Sequence, residues 1–394
     1  MAHMLKTQSR MDAVQAPIIA VVGDLIRQNP GTISLGQGVV HYGPPRTALA
    51  AAQAALDDPA THEYQDGAGL EPLVERLVNK LRRENGIDAS PAGGSRVMVT
   101  AGANMAFMHV VFAISEPGDE IILPVPFYFN HDMAIAMAGC TPVHVPTDER
   151  YQLRVDAIRR AITPRTRGIV TVTPNNPSGA VFDEASLREV NALCRDHGLY
   201  HIADEVYEYF TYGGARHFSP ASMPGAAAHT ISMYSLSKAY GFAGWRVGYV
   251  VYPEHLASGM MKSQDTILVC PTVIAQVAAA AALDVGRSYC EPHVRELADI
   301  REIVRHELMQ LAPLAEVPGA DGAFYALLRV HTDRDPMVLT ERLIREHKVA
   351  VTPGPAFGMT GGCYFRVAYG ALQRTTVAEG VGRLVHGLRA LLDA

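Results

Sequence analysis

The stretch SLSKAYGFAGWRVG, residues 235–248, lies between two short β-branched runs, Thr230–Tyr234 and Val247–Tyr252. One loop between two predicted strands therefore carries two hydroxyl groups, an amine and a guanidinium. Lysine is scarce in this chain, and only Lys238 is set among small and apolar residues. Burial lowers the pKa of a lysine because it disfavours the charged form, and the neutral amine can form a Schiff base. The loop predicts a reactive lysine at the end of a strand.

Short apolar runs alternate with longer helical patterns from about Arg96 onward, which is typical of an α/β layer fold with a largely parallel sheet. The predicted strands are Arg96–Thr100, Glu120–Leu123, Thr141–Val145, Gly168–Val172, Tyr200–Ala203, Thr230–Tyr234 and Val247–Tyr252. Most of these runs are too apolar to alternate, as expected of strands covered on both faces. We therefore predict an α/β fold whose large domain holds a mostly parallel seven-stranded sheet flanked by helices.

The pattern changes after Val285 and predicts a smaller α+β domain. A charged helical stretch over Glu291–Leu311 is followed by a predicted strand at Ala323–Val330, a helix near Met337–His347 and a terminal helix. We expect the N-terminal segment to pack with this second domain. The predicted division is residues 1–48 for that segment, 49–285 for the large domain and 286–394 for the small C-terminal domain.

Composition narrows the range of partners. The chain has 34 Lys and Arg against 40 Asp and Glu, a formal net charge of -6. This charge offers no basic surface for nucleic acid or for an anionic membrane, so we expect neither as a partner. A small molecule is the expected partner.

Cysteine usage favours a reducing, cytoplasmic location. The five cysteines are far apart and include no Cys-x-x-Cys pair, which argues against a disulfide framework and against a structural zinc site. We expect no metal at the functional site. The first seventeen residues are polar and charged rather than continuously apolar, so we expect no secretory signal.

Two further motifs follow predicted strands, where ligands of open α/β sheets bind. The run Ala101-Gly102-Ala103-Asn104 leads from a strand into an apolar helix, and the free N–H groups at such a helix start can bind an anion. Asp204 ends another hydrophobic strand. The two motifs predict an anion site and a carboxylate at one edge of the sheet.

With these motifs the chain resembles the pyridoxal-phosphate-dependent aminotransferases of fold type I, class I/II. The lysine signature of that family runs from a Ser or Gly three positions before the lysine to a Gly ten positions after it. The positions that fit are Ser235, Ser237, Lys238, Gly244, Arg246 and Gly248. The resemblance extends from about Ile33 to the C-terminus.

The resemblance implies how pyridoxal 5′-phosphate is held at one end. Lys238 would carry the cofactor through a Schiff base and then move a proton between the substrate Cα and the cofactor C4′. The groups that would bind the 5′-phosphate are the side chains of Ser235, Ser237 and Arg246 and the backbone of Gly102, Ala103 and Asn104.

The resemblance also assigns the ring end of the cofactor. Asp204 would face the pyridine nitrogen and keep it protonated, and Tyr207 would bond the phenolic oxygen with help from Asn176. Asn176 belongs to an Asn-Pro-Ser-Gly loop that would also reach the substrate. Tyr128 would stack on the ring. Lys238, Asp204 and Tyr207 form the predicted catalytic set.

Three more residues match positions that the family uses for the substrate and for the dimer. Arg366 would grip the substrate α-carboxylate, because a planar guanidinium suits a bidentate bond. Gly38 resembles the glycine that lets the backbone approach the same carboxylate. Tyr64 matches a tyrosine that reaches the phosphate of the neighbouring subunit, which implies a homodimer.

The implied reaction is transfer of the amino group of an L-amino acid to a 2-oxo acid in two half-reactions. An alternative is a C–S lyase or an oxygen-dependent amino acid oxidase that uses the same site. A regulator built on this fold is disfavoured, since no basic helix-turn-helix pattern precedes Ile33.

Substrate preference stays open at this point. The run Leu35-Gly36-Gln37-Gly38 resembles the kynurenine-type branch, whereas Gln264-Asp265-Thr266 resembles bacterial aspartate aminotransferase-like proteins. The run Val39-Val40-His41-Tyr42 stands where the family commonly has a Phe-Pro-Asp-Phe-like run after the glycine, and we leave His41 outside the catalytic set.

Overall fold

The strands form one large sheet and two smaller ones. The structure is a computed structural model and describes residues 9–392. Its strands are β1 (Ile33–Ser34), β2 (Ser95–Thr100), β3 (Glu120–Val125), β4 (Thr141–Pro146), β5 (Thr166–Val172), β6 (Tyr200–Asp204), β7 (Thr230–Ser235), β8 (Gly248–Pro253), β9 (Ala315–Glu316), β10 (Tyr325–Val330), β11 (Val349–Ala350), β12 (Thr352–Pro353) and β13 (Cys363–Ala368). The seven predicted strands of the large sheet are β2 to β8, and each forms close to its expected bounds.

The large sheet has seven strands in the order β2-β8-β7-β6-β5-β3-β4. β8 is antiparallel to both of its neighbours, β2 and β7. The other pairs along the sheet are parallel. The prediction of a mostly parallel seven-stranded sheet is confirmed.

Helices cover both faces of this sheet, which is why its strands are apolar throughout. The helices are α1 (Ile18–Gln28), α2 (Arg46–Ala55), α3 (Glu71–Lys80), α4 (Ala103–Ile114), α5 (Phe129–Met137), α6 (Val155–Ala161), α7 (Glu184–His197), α8 (Leu236–Ala239), α9 (Ala257–Ile267), α10 (Val273–Val285), α11 (Arg287–Met309), α12 (Pro336–His347) and α13 (Arg374–Leu392). On one face Leu73 and Leu77 of α3 pack in a core with Val99 of β2. On the opposite face Phe107 of α4 packs in a second core with Met260 of α9.

The parallel strands bring the predicted site residues to one edge of the sheet. β2 ends at Thr100 just before α4, β6 ends at Asp204, and β7 ends at Ser235 just before α8. The carboxyl ends of parallel strands meet at the same edge, where open α/β sheets bind ligands. The fold thus places the anion motif, the acid and the lysine side by side.

The C-terminal part has its own sheet. β12, β13, β10 and β9 form four antiparallel strands, and β1 of the N-terminal segment pairs in parallel with β11. The strand expected at Ala323–Val330 begins only at Tyr325, because Ala323 has a φ of 52° and so cannot join a strand. The domain boundaries at residues 48 and 285 stay a prediction. Residues 1–8 of the predicted N-terminal segment lie outside the described residues.

Within residues 9–392, no helix has both the length and the apolar character that crossing a bilayer requires.

Substitution of Gly248 tests how closely β8 approaches the start of α4. A Cβ at Gly248 would lie 2.7 Å from the carbonyl carbon of Gly102 and 2.8 Å from the nitrogen of Ala103. These are backbone atoms that cannot rotate away, so we expect Gly248→Ala to lower the free energy of unfolding by about 2 kcal/mol. Urea denaturation followed by circular dichroism measures the change.

Gly382→Ala is the matched control, because a Cβ there meets nothing within 4 Å and the position lies inside α13. We expect it to leave stability unchanged or to raise it by roughly 0.5–1 kcal/mol. Equal stability of Gly248→Ala and the wild-type protein would contradict the described packing.

Candidate active site

A cavity of about 380 Å³ lies at the carboxyl edge of the large sheet. All predicted site residues except Gly102 and Tyr64 line it, namely Gly38, Ala103, Asn104, Tyr128, Asn176, Asp204, Tyr207, Ser235, Ser237, Lys238, Arg246 and Arg366. Gly102 lies directly behind this wall as the N-cap of α4. Tyr64 is 84% exposed and is not part of the lining of its own chain's cavity.

Lys238 lies in the short helix α8, which Ser235 caps by accepting a hydrogen bond from the N–H of Ser237. The Nζ atom donates to the carbonyl oxygen of Gly38. Burial lowers the pKa of Lys238 to about 8, and the nearby cations Arg366 and Arg246 act in the same direction. Roughly a tenth of this amine is therefore neutral, and nucleophilic, at pH 7, far more than of an ordinary lysine.

The start of α4 forms an anion cradle next to Lys238. The N-cap residue Gly102 offers no side chain to the first N–H groups of the helix. A Cβ on Gly102 would lie 2.4 Å from Nη2 of Arg246, so only glycine lets the guanidinium approach this closely. The hydroxyl groups of Ser235 and Ser237 line the same end of the cavity. A helix N-terminus, a guanidinium and two hydroxyls together suit a phosphate group.

Asp204 supplies a buried carboxylate at the end of β6. Its side chain is 4% exposed, and Oδ2 lies 3.2 Å from Nε2 of His131. Oδ1 accepts a hydrogen bond from the N–H of Val206. A buried carboxylate stabilises a cationic N–H donor placed against it. His131 was not predicted, because a single histidine inside a mainly apolar helix such as α5 carries no spacing signal.

Arg366 on β13 is a buried cation with one unused donor. Its Nη1 donates to Oδ1 of Asn176 at 2.9 Å, and Nη2 donates to the carbonyl oxygen of Gly36 at 2.6 Å. The buried Nε has no partner among residues 9–392. The guanidinium lies 4.9 Å from the ring centre of Tyr325 and 5.0 Å from that of Phe357. Because a buried donor without an acceptor is costly, this group suits an anionic ligand such as a carboxylate.

Tyr207 links the cavity to the C-terminal sheet through a residue that the sequence did not reveal. Its hydroxyl lies 2.8 Å from the hydroxyl of Tyr325 on β10, and Nδ2 of Asn176 donates to it at 3.5 Å. Burial raises the pKa of Tyr207 well above its usual value, so the hydroxyl stays protonated and can donate. The sequence pattern predicts a core position for Tyr325, because its neighbours on β10 are apolar.

An aromatic and apolar wall completes the cavity. The hydroxyl of Tyr128 donates to Oδ1 of Asn104 at 3.3 Å, and its ring packs edge-on to His131. Ile19, Val39 and Phe129 supply apolar surface. The lining therefore combines a flat aromatic group with three cations and one buried acid.

The comparisons with known proteins agree with this geometry. The family model for aminotransferase class I and II matches residues 30–384. Aromatic aminotransferase ISS1 of Arabidopsis thaliana is 35% identical over 385 residues, covering 95% of this chain and 94% of that protein. Aspartate aminotransferase of Pyrococcus abyssi is 34% identical over 385 residues, covering 96% and 97%.

A solved structure shares the fold at full length. The aromatic aminotransferase from Pyrococcus horikoshii superposes with a TM-score of 0.87 at 33% identity, covering 95% of this chain and 100% of that one. None of these findings favours the C–S lyase or oxidase alternative.

The residues present fit pyridoxal phosphate. The cradle at α4 suits its phosphate, buried Asp204 suits its ring nitrogen, and the neutral amine of Lys238 suits its aldehyde. The predicted cofactor and reaction class are confirmed by the family match. This chain belongs to the class I and II aminotransferases, the pyridoxal-phosphate-dependent enzymes that move an amino group between an amino acid and a 2-oxo acid.

Proposed function

We propose that this aminotransferase accepts α-amino acids with aromatic or other uncharged apolar side chains, and that Lys238, Arg366 and Asp204 are its central working groups. Pyridoxal phosphate, when bound, supplies the electrophilic carbon and the electron-accepting ring. The chain's own residues hold the substrate, orient it and move its proton. The observation that carries the proposal is that, among the described residues, the cations lining the cavity are Lys238, Arg246 and Arg366, and each of them has a proposed role in binding or proton transfer.

Lys238 is the proposed base. Its pKa of about 8 leaves it able to take a proton from the substrate Cα and to return one at neutral pH. The carbonyl oxygen of Gly38, which accepts from Nζ, orients the amine in the free protein. Asp204, buried against His131, is proposed to keep the cofactor's ring nitrogen charged, which lowers the barrier to removing the Cα proton.

The remaining contacts fix geometry. Ser235, Ser237, Arg246 and the start of α4 are proposed to anchor the phosphate, and the protonated hydroxyl of Tyr207 to donate to the cofactor's phenolic oxygen, with Asn176 beside it. Tyr128 is proposed to stack on the ring.

Arg366 is the proposed anchor of the substrate α-carboxylate. Its orphaned Nε and its buried position favour a bidentate ion pair, and Asn176 and Gly36 hold the guanidinium in place. Fixing the carboxylate sets the orientation of the Cα–H bond relative to the ring.

The substrate side chain then faces the apolar part of the cavity. Ile19 and Val39 come from the N-terminal segment and Phe129 from the start of α5. Among the described residues, the cations that line the cavity are Lys238, Arg246 and Arg366. With these assigned to base, phosphate and α-carboxylate, residues 9–392 of the chain leave no cation in this lining for a second carboxylate. The name of the Arabidopsis relative, an aromatic aminotransferase, supports the same preference, whereas the name of the Pyrococcus abyssi relative points to aspartate, so the proposal rests on the lining of the cavity.

Single-turnover measurements test the donor preference. We expect kcat/KM for L-phenylalanine to exceed that for L-aspartate at least about tenfold, which corresponds to roughly 1.4 kcal/mol. The visible absorbance of the bound cofactor reports each half-reaction, and a 2-oxo acid should restore the starting spectrum. Lys238→Ala should abolish the change with every donor.

Val39→Arg is the matched variant, because it adds a cation to the apolar wall and should shift the preference toward aspartate. Equal rates for the two donors would contradict the preference and leave transamination intact. Failure of every 2-oxo acid to restore the spectrum would contradict the reaction itself.

We also propose a homodimer in which Tyr64 reaches the partner's phosphate site. Tyr64 is 84% exposed, and its loop packs on α9 through a hydrogen bond from Gln264 to the carbonyl oxygen of Gly67. Ile267 and Val269 are exposed at the end of the same helix. Exposed aromatic and aliphatic side chains on adjoining segments are typical of an interface.

Tyr64→Phe tests this arrangement because it removes only the hydroxyl. We expect cofactor affinity to fall about tenfold, in line with the loss of a hydrogen bond to a charged group. Sedimentation should show a dimer in both forms. Met309→Ala, at another exposed apolar residue, is the control and should change neither quantity. A monomeric wild-type protein would overturn the proposal.

The cytoplasmic location stays a prediction. All five cysteines are free thiols in the structure, which supports a reducing compartment. Cell fractionation tests it.

A further inference from the structure

Two histidines and a glutamate come together outside the catalytic cavity. His41 lies in the N-terminal segment, and His293 and Glu296 lie on α11. One ligand atom from each residue lies within 4.8 Å of the others. Residues three positions apart share one face of a helix, which is why both α11 side chains point toward His41.

The cluster is partly buried yet open to solvent on one side. The His41 side chain is 10% exposed, and its Nδ1 has no partner among residues 9–392. Its Nε2 lies 3.3 Å from Oε2 of Glu296, whose side chain is 42% exposed. An ion can therefore enter beside Glu296 and meet an imidazole that packing already holds in place.

The donor set selects the kind of ion. Two imidazoles and one carboxylate are the protein ligands of many Zn²⁺ sites, which leave the fourth position to water. Mg²⁺ and Ca²⁺ prefer oxygen ligands throughout and suit this set poorly. Tetrahedral Zn²⁺ with bonds of about 2.0–2.1 Å holds its ligand atoms about 3.4 Å apart. The His41–Glu296 pair is already at that separation, and all three ligand atoms lie within 4.8 Å of one another, so the cluster would close by at most about 1.4 Å around the ion.

We propose that His41, His293 and Glu296 bind Zn²⁺ and thereby clamp the N-terminal segment to α11. The expectation of no metal rested on cysteine spacing, and histidines this far apart in the chain leave no such signal. The clamp lies next to the lysine that does the chemistry. Tyr42 stacks on His293 with ring centres 3.7 Å apart, and its hydroxyl donates to the carbonyl oxygen of Lys238 at 2.9 Å.

The position predicts a structural rather than a catalytic effect. Gly38, whose carbonyl oxygen accepts from Lys238, lies three residues before His41 in the same segment. Holding His41 on α11 restrains this segment against the cavity. Zn²⁺ should therefore stabilise the folded protein whether or not substrate is present.

Isothermal titration of the metal-free holoenzyme with zinc chloride tests the site. We expect one Zn²⁺ per subunit, and we expect Glu296→Gln and His293→Gln each to weaken binding at least about tenfold. Zn²⁺ should raise the thermal unfolding midpoint of the wild-type protein but not that of Glu296→Gln. Co²⁺ should give the visible absorption of a four-coordinate ion in the wild-type protein and lose it in His293→Gln.

Glu291→Gln is the matched control, since Glu291 is another exposed carboxylate on α11. It should bind Zn²⁺ like the wild-type protein. Because Glu296 is partly exposed, Glu296→Gln keeps the test valid even where a histidine variant fails to fold. Zn²⁺ affinity that is equal in Glu296→Gln, Glu291→Gln and the wild-type protein, or no Zn²⁺ binding at all, would overturn the proposal.

Discussion

The burial of one amine among cations is the constraint on which the rest of the site depends. Lys238 lies on a wall that also contains Arg246 and Arg366, and burial together with these charges lowers its pKa to about 8. Anionic ligands would offset this repulsion, because both arginines face parts of the cavity where an anion fits. Arg246 faces the same cavity as the start of α4. The Nε atom of Arg366 has no hydrogen-bond partner among residues 9–392. In the free protein, the cavity thus holds positive charges whose anionic partners would come from the cofactor and the substrate.

Three parts of the chain meet around this amine. The sheet edge contributes Asp204 and Lys238, the C-terminal sheet contributes Arg366, and the N-terminal segment contributes the carbonyl oxygens of Gly36 and Gly38. Arg366 donates hydrogen bonds to Asn176 of the large domain and to Gly36 of the N-terminal segment, so its position depends on all three parts. Movement of either outer part would change the distance between the proposed α-carboxylate anchor and the base.

The sequence could predict the large sheet because its strands are apolar runs punctuated by polar turns, and it could predict Lys238 and Arg246 because they share one short loop. It could not reveal His131, Tyr325 or the His41 cluster. Tyr325 follows Phe324 in an apolar run, so the pattern predicts core, and only the pairing of β10 with β13 brings it next to Arg366. Contacts between distant segments leave no local spacing to read.

The most direct test of this account is the titration of Lys238 in the cofactor-free protein. An amine-reactive acylating reagent, followed by peptide mass spectrometry, measures the rate of modification of Lys238 against pH, with exposed Lys262 as the reference for reagent activity. Only the neutral amine reacts, so the rate should rise with pH and level off through a midpoint near 8. A rate that keeps climbing up to the ordinary lysine value of 10.5 would contradict the account.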